Sequence, residues 1–332
     1  MLAMFAATAF SAPRRHAVAP PVPCFSAVLA QAATGTVALD NDFVYYGDWT
    51  SFGVYRVAKT GGSPQLLARF PCCVVTQMVV DADQVYVAAR PHGDAIHAPN
   101  DKWIYNIYAI AKNSGAVVTL AEGVWLPEQL AVDDRFIYWT SYGTVIKDPQ
   151  FASDGKIERV NKDGTGRMTL ASGLSGPTSV VVDDAFVYFT ESGLAAGNKS
   201  SGARRVAKEG GSVQRLYDLP VDVLALNGDD LYLLVGNTDT GKTTITQTAK
   251  NGGQVKRSFN DLLIINPTMT IFDGRLYYYT QTKNAFAVAS VTLNLDGRTV
   301  QAERHFNGDQ IGVDRCALYI STTDQQVERV MR

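Results

Sequence analysis

Residues 236–243 read Gly-Asn-Thr-Asp-Thr-Gly-Lys-Thr, a formal match to the loop that cradles phosphate in nucleotide-binding proteins. That loop works because its glycines open a helix whose N-terminal amides and dipole hold the anion. The residues that follow here, TTITQTAKNGG (243–253), have β character and end in a turn. The match is therefore read as a polar loop between two strands, and no nucleotide is expected. Of the four histidines His16, His92, His97 and His305, two lie in the segment PHGDAIHAPNDK (91–102) beside Asp94 and Asp101. A His-x4-His spacing without cysteine is not a zinc pattern, so the segment is read as a solvated loop. No Gly-x-Ser-x-Gly elbow occurs, and no histidine can be set against a serine or cysteine nucleophile. The sequence is thus read as more consistent with binding than with catalysis.

Composition narrows the field. Lysine plus arginine number 30 against 32 aspartate plus glutamate, a net charge of −2. Nucleic acid as the main partner would need a strongly basic surface. No apolar run reaches the roughly 18 residues of a spanning helix, so no transmembrane segment is expected. Residues 2–12 (LAMFAATAFSA) have the length and small-residue finish of a signal-peptide core, although Arg14 and Arg15 follow it rather than precede it. The stretch AVAPPVPC (17–24) reads as an extended linker. The expectation is a signal-like and linker segment over 1–23, a fold over 24–332, and an extracytoplasmic (secreted or periplasmic) monomer.

The elements that must position any site are set by a repeat. TVALDNDFVYY (36–46), MVVDADQVYVA (78–88), LAVDDRFIYWT (130–140) and VVVDDAFVYFT (180–190) are variants of one phrase. LALNGDDLYLL (224–234), MTIFDGRLYYYT (269–280) and IGVDRCALYIS (311–321) continue it. The anchors Asp40, Asp81, Asp133, Asp183, Asn227, Asp273 and Asp314 are 41, 52, 50, 44, 46 and 41 residues apart. A tyrosine follows five positions later in six copies, while Tyr277 comes one position early, which suggests a shortened turn. A period of this size marks a propeller. Each phrase reads as two strands about a polar corner; a third strand ends in Lys-x-Gly-Gly or Lys-Asp-Gly, and a fourth follows. The fold class expected is all-β, a seven-bladed β-propeller.

The last repeat lacks a fourth strand, and FSAVLAQAATGTVALD (25–40) aligns with RMTLASGLSGPTSVVVD (167–183). Residues 25–31 are therefore expected to complete the blade begun by residues 308–332, which leaves no open sheet edge. That closure would put Cys24 and Cys316 on one rim, where a disulfide could staple it, and adjacent Cys72 and Cys73 could bridge each other. Spacing alone does not establish bonding geometry, so four unpaired thiols is the reading adopted.

FIYWTSYG (136–143) with KIERVNKDGTGRMTLASGLSGPTSVVVD (156–183) resembles the YWTD repeats of low-density-lipoprotein-receptor-type propellers, and equally bacterial extracytoplasmic propellers built from similar units. Ser141 stands where the motif has aspartate. The resemblance implies the fold and a non-enzymatic, extracellular binding role; it supplies no functional residues.

In such a ring the loops 89–103, 142–155, 191–203 and 235–243 share one face with the channel mouth. The residues before each first strand are Thr76 and Gln77, Glu128 and Gln129, Thr178 and Ser179, Asp222, Thr268, and Asp309 with Gln310. Candidate binding residues are Trp49, Gln77, Trp125, Glu128, Tyr142, Asp222 and Asp309, facing a protein, peptide or glycan. The alternative is a calcium-dependent, lactonase-like hydrolase in which Glu128, Asp222 and Asp309, with Asn266, hold the ion. Apart from that calcium, no cofactor is expected.

Overall fold

The computed structural model describes residues 25–91, 103–147, 150–195, 200–237, 242–262, 268–281, 286–303 and 310–332. Cys24, the segment 1–23, the four histidines, Asp94, Asp101, Asn266 and Asp309 lie outside the described residues.

Seven antiparallel four-stranded sheets form a seven-bladed propeller, with no α-helix among the described residues. The strand β1 (Ala27–Gln31) precedes blade one, which holds β2 (Val37–Leu39), β3 (Phe43–Asp48), β4 (Gly53–Ala58) and β5 (Gln65–Arg69). Blade two holds β6 (Cys73–Val80), β7 (Gln84–Pro91), β8 (Ile104–Ala111) and β9 (Val117–Trp125). Blade three is β10 (Leu130–Val132), β11 (Phe136–Ser141), β14 (Gly155–Asn161) and β15 (Met168–Leu174), with β12 (Val145–Lys147) and β13 (Gln150–Phe151) as an inserted hairpin. Blade four is β16 (Pro177–Val182), β17 (Phe186–Ser192), β18 (Ser201–Ala207) and β19 (Gln214–Tyr217). Blade five is β20 (Val223–Asn227), β21 (Asp230–Asn237), β22 (Lys242–Ala249) and β23 (Arg257–Leu262). Blade six is β24 (Met269–Phe272), β25 (Arg275–Gln281), β26 (Phe286–Thr292) and β27 (Thr299–Glu303). Blade seven combines β28 (Gly312–Val313), β29 (Ala317–Thr322) and β30 (Gln326–Met331) with β1.

The ring closes as the repeat alignment requires. β1 pairs antiparallel with β30, Ala27 opposite Arg329 and Gln31 opposite Gln326. The Arg329 guanidinium donates to the Phe25 carbonyl at 2.8 Å and lies 3.6 Å from the centre of its ring. Every sheet is covered by its neighbours, which is why the second strands are apolar on both faces and Tyr45, Tyr138 and Tyr319 are fully buried.

The repeated aspartate has a defined task. Asp40 Oδ1 accepts the N–H groups of Asp42 and Phe43, while Oδ2 accepts the Tyr45 hydroxyl at 2.6 Å. The same carboxylate receives Lys112 Nζ from the next blade at 2.7 Å. This link recurs as Asp81–Lys162, Asp133–Lys208, Asp183–Lys250 and Asp314–Lys59. A buried tyrosine ring with its polar tip tied this way fixes blade against blade. Between blades five and six Asn227 and Leu293 hold the two positions, and the Tyr232 hydroxyl donates to the Leu293 carbonyl instead. In blade six the first turn is not shortened: Phe272 pairs with Arg275, so Phe272 takes the anchor position. Asp273 sits in the turn at positive φ and receives Arg332 from blade seven at 3.4 Å.

The Lys-x-Gly-Gly ends behave as read: Gly61 and Gly62 both have positive φ (93° and 113°), conformations open to glycine at little cost. The reading of unpaired thiols is corrected. Cys72 and Cys73 are joined as a vicinal disulfide, and Cys316 is also disulfide-bonded. Adjacency in the chain had left the sulfur positions open; the turn between β5 and β6 brings them together.

Candidate functional site

The seven first strands enclose a central cavity of about 720 Å³ lined by residues from every blade. This is the size range of pockets that hold a small molecule or a few side chains. Its corners are built by the same local device in successive blades. The Thr140 hydroxyl, following the Tyr-Trp pair of β11, accepts the N–H groups of Glu128 and Gln129 at 3.2 and 3.3 Å. In blade four the Thr190 hydroxyl accepts the Ser179 N–H at 3.0 Å and bonds the Thr178 hydroxyl at 2.7 Å. Asp222 is fixed by its N–H to the Leu234 carbonyl, and its own carbonyl accepts the Thr178 hydroxyl.

Gln77, Glu128 and Asp222 all line the cavity, as do Gln129, Thr178, Ser179, Thr268 and Gln310. Two of the three glutamines are spent on the frame. Gln129 Oε1 accepts from the Ser179 hydroxyl and the Val180 N–H, at 2.7 and 2.8 Å. Gln310 accepts the Thr36 hydroxyl at 2.6 Å and donates to the Met78 carbonyl at 3.0 Å, tying blade seven to blades one and two. Gln77 differs: it is only 7% exposed, and its side chain makes no hydrogen bond to a described residue. Near Glu128, burial pushes the Tyr105 phenol upward, the Arg90 charge opposes that shift, and the Glu128 charge adds to it. Arg90 itself stands outside the cavity lining.

The aromatic candidates are placed elsewhere. Trp49 is 37% exposed, but its indole N–H donates to the Val75 carbonyl at 2.8 Å, so it fastens the rim of blade one onto blade two. Trp125 is half-buried at the end of β9, opposite Ile104 and away from the cavity. The Tyr142 hydroxyl bonds the Ser192 hydroxyl at 3.1 Å and its ring packs edge-on against Phe151. Thr76 does not reach the cavity either. Sequence reasoning missed the apolar wall of Leu39, Met78, Met269 and Ile311 beneath the polar mouth. Its signal was available, because these residues belong to the same first strands or the turns leading into them.

For the hydrolase alternative, no three of His, Cys, Asp and Glu come together to hold a metal ion among the described residues. Asp309 and Asn266, two of the four groups invoked, lie outside them. The phosphate-loop match resolves as read from sequence: Lys242 begins strand β22 and opens no helix.

Solved propellers of distant sequence resemble the chain. YCF48 bound to D1 peptide aligns with a TM-score of 0.61 at 9% identity, covering 93% of this chain and 94% of that one. Nidogen in its complex with laminin, a YWTD-type propeller, gives 0.53 at 18% identity over 78% and 91%. The PQQ-bound aldose sugar dehydrogenase of Streptomyces coelicolor gives 0.50 at 13% identity over 82% and 99%. The likeness is one of fold. Two of these structures hold a protein or peptide partner and the third a redox cofactor, so function must be argued from the site. No protein-family model and no curated protein matches the chain. Among the described residues no helix is long and apolar enough to cross a membrane.

Proposed function

We propose that the protein is a non-enzymatic, extracytoplasmic binding module of YWTD type, monomeric, with residues 1–23 serving export. Its loop-bearing face receives a protein or peptide ligand, and the channel mouth selects it through Gln77, Glu128 and Asp222. Asp309 would join the same mouth, while Trp49, Trp125 and Tyr142 shape the rim around it.

The observation that carries this reading is the cavity. Among the described residues its lining offers acidic and amide groups above apolar walls, with no histidine, cysteine, lysine or tyrosine. The hydroxyls of Thr178, Ser179 and Ser192 bond to one another's neighbours, to Gln129 or to backbone, and to no imidazole or carboxylate. Such a wall can hold and discriminate a ligand, and among its described residues no nucleophile is paired with a base. The peptide-bearing neighbours support this choice of ligand class without deciding it.

The test is a displayed random-peptide selection on the immobilised chain, with a glycan array run beside it. Enriched peptides should bind the wild type in solution and lose at least about tenfold in affinity to the Glu128→Gln/Asp222→Asn pair, about 1.4 kcal/mol. No enrichment, or peptides indifferent to that pair, would refute the reading. A glycan that binds and depends on the pair would replace peptide as the ligand class.

A further inference from the structure

We infer that the channel mouth is a site for an aliphatic cation: an ammonium or guanidinium carried on an alkyl stem. The inference rests on the binding role proposed above and names the group of the ligand that enters the channel.

Three independent features of the cavity converge on that chemistry. The first is charge. Among the described lining residues the charged groups are Glu128 and Asp222, both acidic. The lysines that follow the third strands, Lys59, Lys112, Lys162, Lys208 and Lys250, meet the anchor aspartates at the opposite rim. Carboxylates at the mouth favour a cationic group over an anionic one, and low-dielectric walls focus the field they set up.

The second feature is Gln77. It is more than nine-tenths buried and lines the cavity, and its side chain makes no hydrogen bond to any described group. The Gln77 amide opens onto the cavity, where a ligand can reach it. Its two counterparts show what satisfaction looks like, since Gln129 and Gln310 each bridge neighbouring strands. The Gln77 carbonyl is an acceptor held ready for a donor arriving from the channel, and an ammonium or guanidinium brings several.

The third feature is the wall. Leu39, Met78, Met269 and Ile311 line the cavity with the polar groups. Basic side chains bury their methylene stems along apolar surface while the head stays with polar partners. A compact inorganic cation would gain nothing from this wall, and among the described residues no three groups gather to ligate one.

The same chemistry comes from two sources, a lysine or arginine of a peptide or a free polyamine. The test is calorimetric titration of the full chain with a tetralysine peptide, with spermidine and with tetraglutamate. Tetralysine should bind, tetraglutamate should not, and Glu128→Gln/Asp222→Asn should weaken tetralysine tenfold or more. Gln77→Lys, which supplies an ammonium from the wall itself, should abolish binding. Asp184→Asn, an exposed carboxylate at the opposite rim, should leave it unchanged. Melting curves of these near-isosteric variants verify that each is folded. Equal binding of tetralysine to wild type and to the double variant would overturn the inference. So would a channel-dependent peptide lacking lysine and arginine, an outcome that leaves the binding role standing. Spermidine binding without tetralysine keeps the cation site and removes the peptide. No ligand of any kind, from titration or selection, removes both.

Discussion

Lys112→Met should separate the ionic part of the blade-to-blade link from the packing around it. Lys112 is buried at 9% side-chain exposure and Asp40 at 27%, with 2.7 Å between Nζ and Oδ2. Burial alone would raise the Asp40 carboxyl. The Lys112 ammonium, the Tyr45 hydroxyl and two backbone N–H groups outweigh it and hold the carboxyl at about 2, against an ordinary 3.8. A gap of that size corresponds to about 2 kcal/mol, trimmed because the carboxylate is partly wet. Removing the lysine also leaves Asp40 without its cation, so the expected cost at neutral pH is about 1–3 kcal/mol. The sign follows from the lowered value. The stabilisation is complete above about 4, the carboxyl's value when unfolded, and is lost as pH falls toward 2. Chemical denaturation of wild type and variant from pH 7 down to pH 2 measures this directly. The gap between them should be full at pH 7 and close through pH 4 to 2. A gap that is absent at pH 7, or that persists unchanged at pH 2, would refute the reasoning.

Four further outcomes follow from the same geometry. Asp81, Asp133, Asp183 and Asp314 are half-buried too, which raises their carboxyls, yet their lysines, tyrosines and backbone partners outweigh this and lower them. Acid unfolding should therefore be steeper than a single carboxylate gives, followed by circular dichroism between pH 5 and 2; a shallow one-proton slope would contradict it. Asn227→Asp with Leu293→Lys installs the missing link between blades five and six and should raise stability by about 1 kcal/mol in a double-mutant cycle, with no coupling counting against the ring of links. Deleting residues 25–31 removes β1, leaves one edge of β30 unpaired and should give an aggregating product, visible as loss of monomer on gel filtration. Peptide mapping without reductant should recover Cys72 and Cys73 as a bridged pair, and two alkylated thiols there would contradict the structure.

The architecture was legible because the phrase returns seven times as a hairpin, and in five copies an anchor aspartate caps its own turn. Closure was legible for the same reason: a blade missing its fourth strand had only one unassigned strand to take. The lysines ending the third strands were visible too, but as turn residues. That Lys112 belongs to Asp40 in the previous blade becomes apparent only when neighbouring sheets are laid side by side. Asp273 illustrates the opposite error, since an aspartate one residue out of step looks like a shorter turn until the strand register shows Phe272 at the anchor. At the site, position in the repeat located Gln77, Glu128 and Asp222. Aromatic type pointed to Trp49, Trp125 and Tyr142, which lie outside the cavity lining; the Trp49 indole N–H and the Tyr142 phenol already have a backbone and a hydroxyl partner.

The most direct test of the central claim is a crystal structure of the full chain with a peptide taken from the selection. The account predicts a basic side chain of that peptide inside the channel, its stem against Leu39 and Met78 and its charged head within hydrogen-bonding reach of Gln77, Glu128 and Asp222. A peptide lying along the outer strands, with the channel filled only by solvent, would contradict it.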